Sequence, residues 1–288
     1  MKCIYHNDMD GRCAGALVAR YTGNYNKDDF IECSYTQFPL HKIERGESVY
    51  IVDYSFTDAT IHILRQMIEK QCNIVWIDHH TSSIQLQNKY EYEWLKRIDG
   101  IRDESQSGAG LTYSYFHSME GHLDVEKLPR FVQLVDDYDR WVYRLGEDTT
   151  YFKLGLETIE FDALDSIWRE LMLSDEKVDS IIAVGAIIKQ YIDKSNASYL
   201  KSYSYESTIS GLPCLVINKR TNSWIFADKI DEYPIVATFV FDGEWYHYSL
   251  YSSDKTVDCS KIAEQYGGGG HKGAAGFTLN KLIFDKSS

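Results

Sequence analysis

The sequence lacks the apolar segments that membrane-spanning and secreted proteins carry. No apolar run approaches the roughly 20 residues of a membrane-spanning helix. Residues 1–5 lead directly into polar residues and not into the apolar core of a signal peptide. The six cysteines are scattered without a C-x-x-C pair, which favours reduced thiols over a disulfide framework or a zinc ribbon. We therefore expect a cytoplasmic protein with no membrane partner.

Positive charge is also scarce. The chain has 30 Lys and Arg against 43 Asp and Glu, a formal net charge of -13. Such an acidic protein is poorly suited to long duplex nucleic acid, whose binding depends on counterion release to basic side chains. A small anionic substrate remains compatible if bound cations and a few basic residues form a local positive site. With 288 residues, the chain is long enough for two domains, each with its own core.

Three predicted strands end in acidic or histidine side chains, and a helical pattern follows each of them. An uninterrupted apolar run, as at 74–77, is typical of a strand covered on both faces of a parallel sheet. Ligands of open α/β sheets bind beyond the carboxyl ends of such strands, so we expect a site along that edge. The strands and the residues that follow them are 2–5 with His6, Asp8 and Asp10, 49–52 with Asp53, and 74–77 with Asp78, His79 and His80.

The residue types at this edge indicate a metal site. Imidazole together with carboxylates, as in His6, Asp8 and Asp10, suits manganese or iron, whereas carboxylates alone suit magnesium. The alternative, an acidic helix N-terminus, accounts for one aspartate but not for all three residues. Because side chains alternate along a strand, His79 and His80 should point in different directions, so that one could bind metal while the other faces a substrate. An ordinary surface loop is the alternative for these two histidines.

A second acidic group lies further along the chain. Asp136, Asp137 and Asp139 fall within four positions. Two like charges about 4 Å apart repel by about 4 kcal/mol at an effective dielectric constant of about 20. If these carboxylates converge with the others, either some are protonated or cations lie between them. The alternative is that Asp136 and Asp139 pair with Arg140 and Arg144 on an exposed face. For Asp53, which follows the predicted strand at 49–52, the alternative is a residue that caps a helix or lies in a turn.

The C-terminal part of the sequence changes from helical to strand-like patterns. A helical pattern at 176–202 is followed by strand patterns at 212–217, 235–241 and 245–251, with a hairpin signal at 242–243. The glycine-rich stretch 266–277 lets backbone N–H groups approach an anion, and His271 and Lys272 add donors. A plain linker is the alternative for that stretch. We predict a catalytic domain at 1–172, a linker helix at 173–204 and a substrate-binding domain at 205–288.

Five short motifs resemble those of the DHH phosphoesterase superfamily, in the branch whose C-terminal domain is shared with alanyl-tRNA synthetases. They are HNDMDG (6–11), VDYS (52–55), IDHH (77–80), DDYDRW (136–141) and GGGGHKGAAGF (267–277). Each motif alone is weak, but all five in the family's order are specific and span nearly the whole chain. The resemblance implies an α/β fold. It has an N-terminal domain with a doubly wound, mainly parallel sheet and a smaller C-terminal α/β domain with a mixed sheet, joined by a helical linker.

The resemblance also implies two manganese ions, with Mg²⁺ or Co²⁺ as substitutes, and a role for each motif residue. His6 and Asp8 would bind one ion, Asp10 and His79 the other, and Asp53 would bridge both. Asp137 best matches the aspartate of the fourth motif, with Asp136 and Asp139 as alternatives. The catalytic group would be His80, Asp78 and Asp53, and the substrate-binding group would be His80, Arg140, Gly268, Gly269, Gly270, His271 and Lys272.

Two positions depart from the family pattern. Only Asn7 separates His6 from Asp8, where the commonest oligoribonucleases have three residues. This spacing is closer to a smaller group of nanoRNA-degrading enzymes and to DHH proteins of phages. Many relatives carry an arginine where this chain has Tyr251. That change implies either a different substrate end group or phosphate binding by other basic residues.

The function that we predict is hydrolysis of short oligonucleotides by a manganese-dependent phosphodiesterase of the exonuclease type. The sequence has no nucleophile elbow, and a water activated by two metal ions is the expected nucleophile. With the same metals, the alternative substrates are cyclic or linear dinucleotides, 3′,5′-bisphosphate nucleotides, and pyro- or polyphosphate. A non-catalytic nucleotide-binding module is the alternative of a different class. Homodimers occur among relatives, but no sequence feature here locates an interface.

Overall fold

A computed structural model describes residues 1–35, 38–119, 128–254 and 256–285. The chain divides into two compact units, Met1–Ile188 and Lys189–Ser288. The division falls inside one long helix, Asp175–Tyr203, which occupies most of the predicted linker at 173–204. None of the helices in these ranges is both long enough and apolar enough to cross a lipid bilayer.

The N-terminal unit contains a four-stranded sheet whose strands are all parallel, in the order β2-β1-β3-β4. The strands are β1 (Lys2–His6), β2 (Phe30–Cys33), β3 (Ser48–Val52) and β4 (Asn73–Ile77). The helices are α1 (Met9–Thr22), α2 (His62–Glu69), α3 (Thr81–Asn88), α4 (Gly108–Met119), α5 (Arg130–Asp139), α6 (Glu147–Leu156), α7 (Ser166–Leu173) and α8 (Asp175–Tyr203). Short 3₁₀ helices cover Lys27–Asp29, Leu40–Lys42 and Tyr90–Arg97.

Both faces of this sheet are covered, as the uninterrupted apolar strands predicted. Along β4, Trp76 packs in one hydrophobic core and the next residue, Ile77, packs in the other, because successive side chains of a strand point to opposite faces. The indole N–H of Trp76 donates to the backbone oxygen of Tyr54 at 2.9 Å, so its one polar group is satisfied. The doubly wound parallel architecture is therefore confirmed.

The C-terminal unit contains a six-stranded mixed sheet in the order β5-β6-β7-β8-β10-β9, in which only β6 and β7 pair in parallel. Its strands are β5 (Ser204–Ile209), β6 (Leu212–Asn218), β7 (Ile235–Phe241), β8 (Tyr246–Tyr251), β9 (Gly269–His271) and β10 (Ala274–Leu279). A 3₁₀ segment covers Ser223–Asp231, and α9 covers Cys259–Glu264. The mixed sheet confirms the predicted class of this unit.

Some element bounds differ from the sequence predictions for local reasons. The helical pattern predicted after the strand at 49–52 forms a helix only from His62. A turn precedes it, in which the backbone N–H of Thr57 donates to the hydroxyl of Thr60 at 2.9 Å. Within the glycine-rich stretch, residues 269–271 form a short strand against β10 and not a loop.

Candidate metal centre

The carboxyl ends of β1, β3 and β4 meet at one edge of the parallel sheet and place His6, Asp53 and Asp78 there. The β1–α1 connection adds two aspartates. Asp8 caps α1, because its Oδ1 accepts a hydrogen bond from the backbone N–H of Gly11 at 2.9 Å. Asp10 lies in the first turn of the same helix and is buried. The predicted convergence at this edge is therefore present in the structure.

Asp53 lies at the centre of this edge and has φ of 53°, a value that non-glycine residues rarely adopt. Its side chain is 1% exposed, yet neither carboxylate oxygen has a hydrogen-bond partner in the described part of the chain. Burial, reinforced by the charges of Asp10 and Asp8, raises the pKa of Asp53 well above its usual value. A buried carboxylate without partners is costly, and its natural compensation is a cation.

Asp10 is held in place by the start of α4. Its Oδ1 accepts from the hydroxyl of Ser107 at 2.6 Å and from the backbone N–H of Ala109 at 2.9 Å. Its Oδ2 accepts from the backbone N–H of Gly108 at 2.6 Å. Burial raises the pKa of Asp10 despite these hydrogen bonds. No local pattern around Ser107 predicts this contact, which orients a carboxylate almost a hundred positions away.

The fourth motif contributes a different aspartate from the one that best matched the family. Asp137 is buried with its oxygens occupied by the backbone N–H groups of Arg144 and Leu145, at 2.8 and 3.0 Å, and by the hydroxyl of Thr149, at 2.6 Å. These hydrogen bonds outweigh burial and lower the pKa of Asp137. Asp139, one of the two alternatives, lies at the cluster: its Oδ2 is 3.3 Å from Nε2 of His79.

Asp139 shares the electrostatic character of Asp53. Its Oδ2 is buried and has no hydrogen-bond partner among the described residues. Burial and the nearby charges of Asp10 and Asp8 raise the pKa of Asp139 to about 8. Asp136, the other alternative, instead accepts from the backbone N–H of Ser107 at 2.6 Å and lies 3.5 Å from the guanidinium of Arg140. Asp136 therefore stabilises the segment that precedes α4 and is not a member of the cluster.

Two groups of donor atoms share Asp53. In the first group, Nδ1 of His6 lies 2.8 Å from Asp8 and 3.9 Å from Asp53. In the second, Nε2 of His79 lies 3.3 Å from Asp53 and 3.8 Å from Asp10. Within each of three sets the ligand atoms lie within 4.8 Å of one another: His6, Asp8 and Asp53; Asp10, His79 and Asp139; and Asp53, His79 and His80.

His80 differs from His79 in its nearest partner, but the two rings do not point apart as expected: β4 ends at Ile77, and the ring centroids lie only 4.5 Å from each other. Its Nδ1 is 2.7 Å from Oδ1 of Asp78, and the other oxygen of Asp78 accepts from the hydroxyl of Ser83. Burial opposes the charged imidazole, but the hydrogen bond and charge of Asp78 outweigh it and raise the pKa of His80. His80 also lies within metal-binding distance of Asp53 and His79, but its Nδ1 carries a proton toward Asp78 and is not free to bind a cation.

Tyr35 completes this edge and was not singled out from the sequence. Its hydroxyl lies 3.3 Å from Nε2 of His80, and its ring is 4.8 Å from the ring of His6. Burial and the charge of Asp53 raise the pKa of Tyr35, so the hydroxyl stays protonated at neutral pH. No pattern near residue 35 signals this role, because the contacts arise from neighbouring strands.

The predicted phosphate-binding residues lie in the C-terminal unit. A Cβ at Gly268 would meet the backbone oxygen of Gly276 at 2.1 Å, and one at Gly270 would meet Ala275 at 2.6 Å. These two glycines therefore allow β9 to pair closely with β10. Gly269 is open to solvent, and the side chains of His271 and Lys272 are exposed. Their role in binding substrate stays a prediction.

Comparison with known proteins identifies relatives at low identity. No family model matches the chain. Uncharacterized protein R106 of Acanthamoeba polyphaga mimivirus is 24% identical over 252 residues, which cover 84% of this chain and 55% of that protein. The chain thus spans about half the length of this relative. Oligoribonuclease NrnB of Bacillus subtilis is 20% identical over 298 residues, which cover 97% of this chain and 73% of NrnB.

Two solved structures share the fold. A DHH domain from the s1p family of ribosomal proteins has a TM-score of 0.57 at 13% identity. The alignment covers 98% of this chain and 82% of the chain of that domain. The pGpG-specific phosphodiesterase PggH of Vibrio cholerae has a TM-score of 0.56 at 13% identity, with coverage of 97% and 93%. These two likenesses show that the chain has the fold of DHH domains, the superfamily whose motifs the five ordered sequence motifs resemble.

Proposed function

We propose that this protein is a manganese-dependent phosphodiesterase that hydrolyses the phosphodiester bonds of short oligonucleotides. The observation that carries the proposal is the buried carboxylate of Asp53, which has no hydrogen-bond partner among the described residues and lies between two groups of metal-type donors. The relative named as an oligoribonuclease aligns with almost the whole chain, which supports a short-oligonucleotide substrate and a hydrolase acting on phosphoric esters.

The residues present fit two divalent cations. Each donor group combines one imidazole with carboxylates, a set that suits manganese better than magnesium. A cation in each group would give partners to the orphaned oxygens of Asp53 and Asp139. When bound, such a pair would lower the pKa of a coordinated water and polarise a phosphoryl oxygen. Mg²⁺ or Co²⁺ would be substitutes.

The protein's own contribution centres on His80. Asp78 fixes the ring through Nδ1, and Nε2, which lies 3.3 Å from the hydroxyl of Tyr35, is the atom that faces the scissile phosphate in this proposal. Because Asp78 raises the pKa of His80, the ring is more often protonated and can donate Nε2–H to a phosphoryl oxygen. Asp78 itself is fully buried with both oxygens occupied, so it acts as a positioning residue and does not touch substrate.

Substrate phosphates beyond the hydrolysed one need other cationic partners. We assign this task to His271 and Lys272 with the open backbone at Gly269, because these donors are exposed and do not bind metal in the proposal. We assign the same task to Arg140 in the N-terminal unit. Its guanidinium lies 3.5 Å from the carboxylate of Asp136. His271→Ala should therefore raise the Michaelis constant and change turnover little.

The experiment that tests the function is cleavage of an end-labelled trinucleotide and pentanucleotide in the presence of Mn²⁺, beside the Asp53→Asn protein. We expect stepwise shortening by the wild type and its loss in the variant. Intact substrates with Mn²⁺ shown to be bound would contradict the proposal. A panel of cyclic and linear dinucleotides, bisphosphate nucleotides and pyrophosphate would then identify the substrate, and tight binding without any product would indicate a non-catalytic module.

A further inference from the structure

Tyr35 is the exposed outer member of an aromatic cluster at the site. It follows β2 by two residues, and its ring is 5.1 Å from the ring of Tyr54. The ring of Tyr54 in turn packs against the rings of Phe38 and Phe56, whose centroids are 5.4 and 5.2 Å away. Tyr54, Phe38 and Phe56 are all buried. Tyr35 is 48% exposed. The core is therefore closed without Tyr35, and packing alone does not account for an aromatic ring at this position.

The contacts of Tyr35 place its ring beside the candidate chemistry. Its hydroxyl lies 3.3 Å from Nε2 of His80, the atom that faces a phosphate in the proposed function. The ring itself is tilted against His6, at 4.8 Å, and against Tyr54. Two neighbouring rings thus hold the tyrosine from the protein side, while about half of its surface stays open.

We propose that Tyr35 is a substrate-binding residue whose open ring face stacks on the nucleobase next to the phosphate that His80 contacts. The inference rests on the proposed function and adds to it the group that recognises the base. A ring already held by two others loses little conformational freedom when a base stacks on it, which favours binding. Stacking also tolerates any base, since every base has a π face, and so suits an enzyme that shortens oligonucleotides of mixed sequence.

The choice of an aromatic ring also fits the charge of the site. The carboxylates around it suit cations and offer a nucleobase no apolar surface. Tyr35 is an uncharged surface within reach of the same atoms. Its contribution should therefore depend on the base and not on the phosphate.

The test is a pair of binding measurements by titration calorimetry in Mn²⁺, with adenosine 5′-monophosphate and ribose 5-phosphate as probes. The two ligands share sugar and phosphate and differ only in the base. We expect the wild type to bind the nucleotide at least about tenfold more tightly, the order of effect of one base stacked on an aromatic ring. Tyr35→Ala should remove that difference and leave ribose 5-phosphate binding unchanged, while Tyr35→Phe should retain it.

Tyr25→Ala is the matched control. Tyr25 is in the same unit, is 56% exposed and precedes β2, so it lies toward the opposite edge of the sheet. This variant should behave as the wild type with both probes. Titration with Mn²⁺ alone shows whether a Tyr35 variant has disturbed His6.

Four outcomes would overturn the inference. They are equal or absent binding of the two probes by the wild type, a similar loss for both probes in Tyr35→Ala, the same loss in Tyr35→Phe as in Tyr35→Ala, and an equal loss in Tyr25→Ala. The cleavage assay on oligonucleotides separates this inference from the proposed function. A wild type that binds the nucleotide through Tyr35 but leaves oligonucleotides intact would retain the base contact and reject the oligonucleotide substrate.

Discussion

At the scale of single residues, Asp53 combines three properties that each destabilise the folded protein when no cation is bound. It is buried, lacks hydrogen-bond partners within the described ranges, and lies among other carboxylates. Each property costs folding free energy, and each becomes favourable when a divalent cation is adjacent. The same carboxylate should therefore destabilise the metal-free protein and stabilise the loaded one.

Asp53→Asn tests both effects, the destabilisation of the metal-free protein and the stabilisation of the metal-loaded protein. The amide keeps the shape but removes the charge shared by both donor groups, so Mn²⁺ affinity should fall at both sites and the cleavage rate by at least roughly 100-fold. In chelator-treated protein the same change should raise the midpoint of thermal unfolding, since a buried charge is lost. Calorimetric Mn²⁺ titration and thermal unfolding in EDTA measure the two effects. A lower midpoint in EDTA would show that Asp53 has partners that the geometry does not reveal.

The neighbouring pair Asp137 and Asp139 should respond in opposite ways to the same substitution. Asp137→Asn disrupts hydrogen bonds from two backbone N–H groups and a hydroxyl, and should cost about 1–3 kcal/mol of unfolding free energy with Mn²⁺ affinity retained. Asp139→Asn should weaken Mn²⁺ binding without destabilising the metal-free protein. Urea unfolding in EDTA and Mn²⁺ titration compare them, each variant being the control of the other. Loss of metal in Asp137→Asn with a stable fold would reverse the assignment.

At the scale of elements, the start of α4 approaches the end of β3 so closely that only glycine fits. A Cβ at Gly108 would lie 2.5 Å from Cβ of Asp53 and 3.0 Å from Oδ2 of Asp10. Gly108→Ala should therefore displace both carboxylates and lower Mn²⁺ affinity and cleavage rate by at least about tenfold. Gly273→Ala is the control for Mn²⁺ binding, because its Cβ would meet only one atom, at 3.5 Å, and it lies in the other unit. Unchanged Mn²⁺ binding in Gly108→Ala would mean that α4 can shift without disturbing the site.

The β4–α3 junction should set the pH dependence of cleavage. Asp78 raises the pKa of His80, so in the wild type His80 stays protonated to a higher pH than a free imidazole. If Nε2–H of His80 donates to the phosphate, the alkaline decline in kcat/KM follows this pKa. Asp78→Asn should then move that decline to lower pH. Ser83→Ala, which removes one support of Asp78, should move it in the same direction by less. A pH–rate profile that is identical in all three proteins would remove His80 from this role.

At the scale of the whole molecule, the crowded carboxylates link stability to pH and metal. Burial raises the folded-state pKa values of Asp10, Asp53 and Asp139, the last to about 8, above their values in the unfolded chain. Such acids bind more protons when folded, so their contribution to stability is largest below the unfolded pKa and is lost as the pH rises through the folded pKa. Metal-free protein should therefore become less stable from pH 6 to about 8.

Thermal unfolding between pH 6 and 9 in EDTA measures this dependence. Saturating Mn²⁺ should reduce or reverse the decline, because cations bind the ionised carboxylates. Asp139→Asn in EDTA should show a shallower decline than the wild type. A stability of the metal-free wild type that rises over the same range would contradict the expected direction of the linkage.

The sequence by itself determined the fold class and the members of the cluster that follow strands. An apolar strand that ends in acid or histidine is a local pattern, and parallel strands bring their carboxyl ends to one edge whatever the details of packing. His6, Asp8, Asp10, Asp53 and His79 could therefore be assembled from the sequence. The alternation expected at His79 and His80 does not hold, because β4 ends at Ile77 and both rings lie beyond the strand, 4.5 Å apart.

Only the tertiary structure decided the remaining members. The fourth motif favours Asp137 over Asp139, but the structure reverses this choice because backbone N–H groups of the following loop bind Asp137 and leave Asp139 toward the cluster. Tyr35 reaches His80 from another strand, and Ser107 reaches Asp10 from 97 positions away. Contacts of this kind depend on how distant elements pack, which no local periodicity encodes, and they determine which polar side chains are satisfied and which remain available to a ligand.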